Sequence, residues 1–111
     1  MGLPAGIATP GPAGLLQKSV AISSPNVQSL VGEIAGKQIR LYKAFLVFSA
    51  AATVTIKDGT TNLTGGMAVA ANEVWQISFD GMPMWETSAG NALRIQLSAG
   101  AVAGTIWYTQ S

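Results

Sequence analysis

The stretch that decides the fold covers residues 37–58 and reads KQIRLYKAFLVFSAAATVTIKD. It concentrates the β-branched and aromatic residues of the chain, and the small residues 49–52 divide it into two runs. In the second run, residues 53–57 alternate polar and apolar side chains, which is typical of a half-buried strand. A helix of about ten residues competes for the first run, but β-branched and aromatic enrichment favours a strand. We therefore interpret the stretch as two core strands.

The first of these two strands is predicted to be apolar on both faces. Ile39 and Leu41 alternate with Arg40 and Tyr42, but the alternation fails over residues 44–48, AFLVF. A strand that is apolar on both faces needs cover on both sides. We expect a facing sheet to cover one side, and an arm, a loop or another subunit to cover the other.

The rest of the chain predicts further short strands separated by turns, and no convincing helix. Residues 27–34 also fit a single helical turn, and residues 82–86 are predicted as a loop or edge segment because Pro83 cannot donate to a ladder. The other predicted strands are 15–23, 60–63, 73–79, 91–97 and 105–110. Seven or eight short strands at this spacing predict an all-β antiparallel sandwich, jelly-roll-like, formed by one domain at residues 15–111.

Residues 1–14, MGLPAGIATPGPAG, are predicted to form an extended arm. They include three prolines and four glycines but no charged residue, which disfavours both a helix and a central strand. Fully extended, the arm could reach about 45 Å, far enough to cross onto a neighbouring subunit. A disordered tail is the alternative; the apolar Leu3 and Ile7 and the absence of charge favour docking.

Composition indicates a protein that is buried in an assembly. Hydrophobic residues make up 49% of the 111 residues and charged residues only 10%, against about 25% charged in an average soluble protein. An isolated monomer would have little polar surface, so we expect a homo-oligomer. The formal net charge of +1 offers no cluster of basic residues for a nucleic acid.

The chain lacks the residue types that most catalytic and metal sites require. It has no cysteine and no histidine, which excludes disulfides, thiolate chemistry, most zinc sites and the commonest general base. Asp58 and Asp80 each precede a glycine in a predicted turn, and calcium held by Asp80 and Glu86 would lack any EF-hand-like spacing. We therefore expect no enzyme activity, catalytic residue, metal, cofactor or small-molecule substrate.

No membrane contact or export is expected either. The N-terminus lacks the basic and continuous apolar regions of a signal peptide. The apolar run at residues 44–56 is too short, and too interrupted by Ser49 and two threonines, to span a bilayer. We expect a protein that is soluble and not exported.

Three aromatic or sulfur-containing side chains near Pro83 are candidate contact residues. Met82, Met84 and Trp85 lie in a predicted loop, where a partner would have to cover them, and such side chains are typical interface anchors. The alternative is that Trp85 closes one end of the sandwich core. Trp107, opposed to Ile106 and Tyr108, makes the last strand apolar on both faces; a carbohydrate platform is a further possibility for such aromatics.

The runs KQIRLYKAFLV at 37–47, ATVTIKDG at 52–59, NALRIQLSAG at 91–100 and GTIWY at 104–108 resemble small β-sandwich virion proteins of tailed bacteriophages and prophages, either capsid cement (decoration) proteins or small tail-associated modules. The resemblance covers about residues 37–110 and rests on strand and turn patterns. It implies no catalytic residue, and a place on the capsid surface of the virion after synthesis in the host bacterial cytoplasm.

The function expected from this resemblance is to bind the major capsid protein lattice as a symmetric oligomer and to stabilise the assembled shell. The alternative is a tail-associated receptor- or glycan-binding module that uses Trp85 or Trp107. The expected contact positions lie in the arm and in the Pro83 loop: Leu3, Pro4, Ile7, Pro10, Met82, Met84 and Trp85.

Overall fold

The computed structural model describes residues 15–78 and 82–111, which contain ten strands and no helix. All strand pairs are antiparallel, and the strands form two sheets that pack together. The predicted all-β sandwich is therefore confirmed. The strands are β1 (Leu16–Ile22), β2 (Asn26–Val31), β3 (Ile39–Phe48), β4 (Ala52–Asp58), β5 (Thr61–Asn62), β6 (Met67–Val69), β7 (Val74–Ser78), β8 (Trp85–Glu86), β9 (Leu93–Leu97) and β10 (Val102–Gln110).

The two strands of the stretch 37–58 lie inside the two sheets. The first sheet has the order β1-β10-β3-β7, and β8 pairs with β3 beyond the end of β7. The second sheet has the order β2-β9-β4-β5, and β6 also pairs with β4. Strands β3 and β4 thus have neighbours on both sides, so the prediction of two core strands is confirmed.

The core lies between the sheets and is made of large aliphatic side chains with one fully buried aromatic ring, that of Phe48. Alternate residues of the long strands supply it, as the period of two in a strand requires. Its fully buried members include Ile39, Leu41 and Leu46 of β3, Val54 and Ile56 of β4, Leu93, Ile95 and Leu97 of β9, and Val102 and Ile106 of β10.

A β-bulge in β3 decides which of the apolar residues after Lys43 face the core. Trp107 of β10 pairs with Lys43, and the next residue, Tyr108, pairs with Leu41, so Tyr42 has no partner in this ladder. An extra residue shifts the alternation by one position. Leu41 and Ala44 therefore both face the core, and the following apolar residues are divided between the two faces of the sheet.

Several boundaries differ from the predicted ones. Residues 27–34 form a strand that ends at Val31, whereas residues 82–86 include the short strand β8, which pairs with β3 alone and agrees with the predicted edge segment. The last strand starts at Val102 and runs through Gly104, which the sequence had suggested as its boundary. This is possible because Gly104 has a φ of +153° and lies against the backbone of Phe45. Residues 1–14 and the predicted turn at Asp80 lie outside the described residues.

Candidate interaction surface

The side of the first sheet that faces away from the core is apolar at one end. We call this whole side of the sheet, including its polar end, the outer face. Across β10, β3 and β7 its rows are Ala103, Val47 and Val74, then Thr105, Phe45 and Gln76, then Trp107, Lys43 and Ser78. Phe45 is 40% exposed and Val74 is 50% exposed, so the residues 15–78 and 82–111 leave both side chains open to a partner.

The corresponding side of the second sheet is mostly polar, although it includes the exposed Val27 of β2. There Thr53, Thr55 and Lys57 of β4 lie beside Arg94 and Gln96 of β9. Such a surface is well hydrated, as expected for an antiparallel sheet with one face in water. The two sheets therefore differ in what they offer a partner, and the outer face of the first sheet is the better candidate because desolvating it costs little.

One cation lies at the far end of the outer face. The Nζ atom of Lys43 is 5.6 Å from the centroid of the Trp107 ring, a distance typical of a cation–π contact. Register places Gln17 of β1 on the other side of Trp107. This end of the outer face thus combines an aromatic ring with polar side chains. The row of Ala103, Val47 and Val74, at the other end, has no polar side chain.

A second apolar feature, the edge groove, lies where β7 faces the edge of the second sheet. Its volume is about 420 Å³, and none of its lining side chains is charged. The groove is lined by Met67 and Ala68 of β6, Val74, Trp75, Gln76 and Ile77 of β7, and Met84 and Trp85. It adjoins the outer face, because Val74 belongs to both.

The Trp75 ring is held in place on the groove wall. It packs edge-on against Phe48, with ring centroids 4.8 Å apart. Its Nε1–H donates to the Oε2 atom of Glu73 at 3.2 Å, and the Oε1 atom of Glu73 accepts from the backbone N–H of Ala70 at 2.9 Å. The groove therefore has a preformed aromatic wall, which reduces the entropy lost when a partner binds.

The predicted contact residues of the Pro83 loop have different environments. Met82 is 69% exposed, whereas Met84 and Trp85 line the edge groove and are partly buried. Trp85 pairs with Leu41 and packs against the core, as in the alternative in which it closes the sandwich. Leu3, Pro4, Ile7 and Pro10 lie outside the described residues, and their role stays a prediction.

Sequence reasoning missed three residues of these surfaces. Phe45 and Val47 belong to the run predicted to be apolar on both faces, but the bulge that assigns them to the outer face left no local signal. Val74 lies on the same side of its strand as Gln76 and Ser78, so the local pattern does not indicate an apolar surface there. Only the register between β7 and β3, which sets Val74 beside Val47, shows that it extends an apolar row.

Three carboxylates, those of Asp58, Glu73 and Glu86, accept hydrogen bonds from other groups of the chain. Asp58 is buried; its Oδ2 atom accepts from the backbone N–H and Oγ–H of Ser88, and its Oδ1 atom accepts from Asn91, each at 3.0 Å. Glu86 accepts from Gln38 and lies 3.6 Å from Arg40. Among residues 15–78 and 82–111, no three acidic side chains converge as a metal site would require.

Replacing Asp58 by alanine should lower the free energy of unfolding by about 2–4 kcal/mol, because three hydrogen bonds to a buried carboxylate are lost and the turn at residues 88–91 is no longer tied to β4. Urea denaturation followed by circular dichroism measures this loss. Glu33→Ala, at an exposed position, is the control and should change stability by less than about 0.5 kcal/mol. Equal stability of the two variants would show that Asp58 does not hold the 88–91 turn.

Comparison with models of protein families, with curated proteins and with solved structures finds no match for this chain. In the described part of the chain, no helix is long and apolar enough to cross a membrane. The class that the structure defines is an all-β sandwich in which one outer surface is mostly polar and the other is apolar at one end. Its function therefore has to be inferred from the chemistry of those surfaces.

Proposed function

We propose that this protein is a structural protein of a tailed bacteriophage that decorates the capsid: it binds the assembled lattice of the major capsid protein and stabilises it without catalysis. The observation that carries the proposal is the contrast between the two sheets. One outer surface is polar and hydrated, whereas the other presents Phe45, Val47 and Val74, and we assign this surface to contact with the shell.

The composition of the outer face suits a protein partner. The buried centre of a protein interface is depleted in charged residues and enriched in aromatic ones. Among the nine residues of the three rows, Lys43 is the one charged side chain, and it lies at the end next to Trp107. The apolar end can therefore be desolvated without stranding a charge.

The stabilising effect would follow from mass action. A protein that binds the assembled lattice but not the free subunits shifts the equilibrium towards the assembled state. Many copies act together on one shell, so a modest free energy for each copy is sufficient. No covalent step is needed, in agreement with a chain that has neither cysteine nor histidine.

A sedimentation assay tests the proposal. Purified protein is mixed with shells that lack it, produced from the genome that encodes this chain after deletion of its gene, and in parallel with unassembled capsid subunits. We expect the protein to sediment with the shells at saturating stoichiometry and not to associate with free subunits. Equal binding to both, or binding to neither, would contradict the proposal.

The arm is proposed to contribute contacts through Leu3, Pro4, Ile7 and Pro10. Deleting residues 1–14 should weaken shell binding by about tenfold or more, since several apolar side chains would leave the interface. Shell binding and the temperature at which particles release DNA measure the effect. The control replaces residues 1–14 by a glycine-serine segment of equal length. If the truncated protein protected particles as well as the intact one does, the arm would have no such role.

A second function, glycan binding by a tail module, is favoured by one observation. Trp107 lies on the outer face with polar neighbours, Gln17 and Lys43, on either side, and a sugar platform needs an aromatic ring beside hydrogen-bonding groups. Trp85 lacks this setting because it packs against the core. Glycan-array binding that is lost in Trp107→Ala and retained in Trp85→Phe would support this function over capsid decoration.

A further inference from the structure

We propose that two copies of this protein pair through β7, edge to edge, so that their first sheets join into one continuous antiparallel sheet. The interface would be a two-fold symmetric one centred on Gln76. This inference rests on the edge of β7 and not on the proposed function, and each can fail without the other.

Strand β7 has a free side. Among residues 15–78 and 82–111 it pairs with β3 alone. The backbone N–H of Phe48 donates to the carbonyl oxygen of Glu73 at 3.0 Å, and hydrogen-bonded pairs recur at every second residue of an antiparallel ladder. Trp75 and Ile77 therefore direct their backbone groups towards β3, whereas Val74, Gln76 and Ser78 direct theirs outwards.

The other edges of the two sheets carry features that protect them against pairing, and residues 15–78 and 82–111 supply no such feature to β7. Natural edge strands are blunted by lysine, by bulges or by shortness. Strand β1 carries Lys18, β2 contains a bulge at Leu30, and β5 and β6 have two and three residues. Strand β7, VWQIS, is regular, has five residues and carries no charge.

The outward groups of β7 are complementary to themselves. In an antiparallel pair centred on Gln76, Gln76 faces Gln76 of the second copy, and Val74 faces Ser78 of the second copy. The backbone N–H and C=O groups of Val74, Gln76 and Ser78 point away from β3, so in this pairing each of them would hydrogen-bond to the second copy. Trp75 would lie opposite Ile77 of the second copy on the groove side, an aromatic and β-branched pair that favours strand association.

The lack of charge at this edge favours a second copy as the occupant. Neither β7 nor the edge groove has a charged lining residue, so like-charge repulsion between identical edges is absent. The two-fold axis is perpendicular to the joined sheet, which places both outer faces on the same side.

Cysteine cross-linking tests the pairing, because the chain has no cysteine of its own. Gln76→Cys should form a covalent dimer with a short bis-maleimide at micromolar protein concentration. The matched control is Gln96→Cys, an exposed glutamine on β9 of the second sheet, which should remain monomeric on a denaturing gel. Equal cross-linking of the two variants would overturn the proposal.

A proline substitution tests the hydrogen bonds themselves. The N–H of Gln76 faces outwards, so Gln76→Pro removes a donor from the pairing edge and leaves the ladder with β3 intact. We expect this variant to keep its circular dichroism spectrum and to dimerise about tenfold more weakly in sedimentation equilibrium, whereas Gln76→Ala dimerises like the wild type. A wild-type chain that is monomeric up to high micromolar concentration, whatever else binds its groove, would overturn the proposal.

Discussion

Replacing Phe45 by glutamate is expected to abolish binding of the protein to the capsid shell while the chain stays folded. Phe45 lies in the middle row of the outer face, between Thr105 and Gln76, and is 40% exposed. In the bound state a carboxylate at this position would be desolvated without a partner, at a cost of about 3 kcal/mol or more. The expected loss of affinity is about 100-fold or greater.

The chain offers a matched control for this variant. Val27 is apolar and 39% exposed, nearly the same as Phe45, but it lies on the second sheet, beside Gln96. Val27→Glu should therefore leave shell binding unchanged. Thermal unfolding of both variants should stay close to that of the wild type, since each substitution is made at an exposed position. If both variants bound the shell equally well, the outer face of the first sheet would not be the contact surface.

Replacing Gly104 by alanine is expected to have the largest effect on stability. A Cβ atom at this position would lie 1.8 Å from the carbonyl oxygen of Phe45 and 3.0 Å from the Cα atom of Leu46. Because both contacts are with backbone, no side chain can rotate away, and β10 must separate from β3. The φ of +153° adds strain for any residue with a Cβ atom. We expect a loss of about 4 kcal/mol or more, a large share of the stability of a typical domain.

Thermal denaturation measures this loss. A decrease of about 15 °C or more in Tm corresponds to about 4 kcal/mol in a domain of this size. Gly32→Ala is the control, because a Cβ atom there has nothing within 4 Å, and its stability should change by no more than about 1 kcal/mol. If Gly104→Ala melted within a few degrees of the wild type, the close approach of β10 to β3 would be wrong.

Much of the sandwich could be predicted from residue patterns because its strands are short-range features. The alternation of Val54 and Ile56 with threonines, and of Leu93, Ile95 and Leu97 with polar residues, places the same side chains in the core. The turn at Asp58 and Gly59 is also as predicted, with Gly59 at a φ of +60°. Such patterns report directly which face of a strand is buried.

Features that depend on pairing between distant strands could not be predicted. The bulge at Tyr42 exists only relative to β10, and Gly104 looks like a strand boundary until Phe45 is placed against it. Asp58 was explained by its turn alone, but it also binds the turn that contains Ser88 and Asn91, about thirty residues away. A sequence pattern does not specify which strand lies beside which, so these roles had no local signal.

The same limit applies to the candidate surfaces. The run 44–48 correctly indicated that one strand of the core has two apolar faces, and the structure adds that Phe45 and Val47 form the outward one. The sequence indicated that something must cover the outward apolar face of this strand, and we propose that the capsid lattice does so. Only the order of strands in the sheet shows that β7 has a free edge, because an edge strand and a central strand can have the same alternation of residues.

Cryo-electron microscopy of virions from the genome that encodes this chain tests the central claim most directly. The proposal predicts many copies of the sandwich over the head, each with the outer face that contains Phe45, Val47 and Val74 against the shell and with Thr55 and Gln96 towards solvent. Density for a few copies at the tail vertex, or copies on the head that turn Phe45 to solvent, would contradict it.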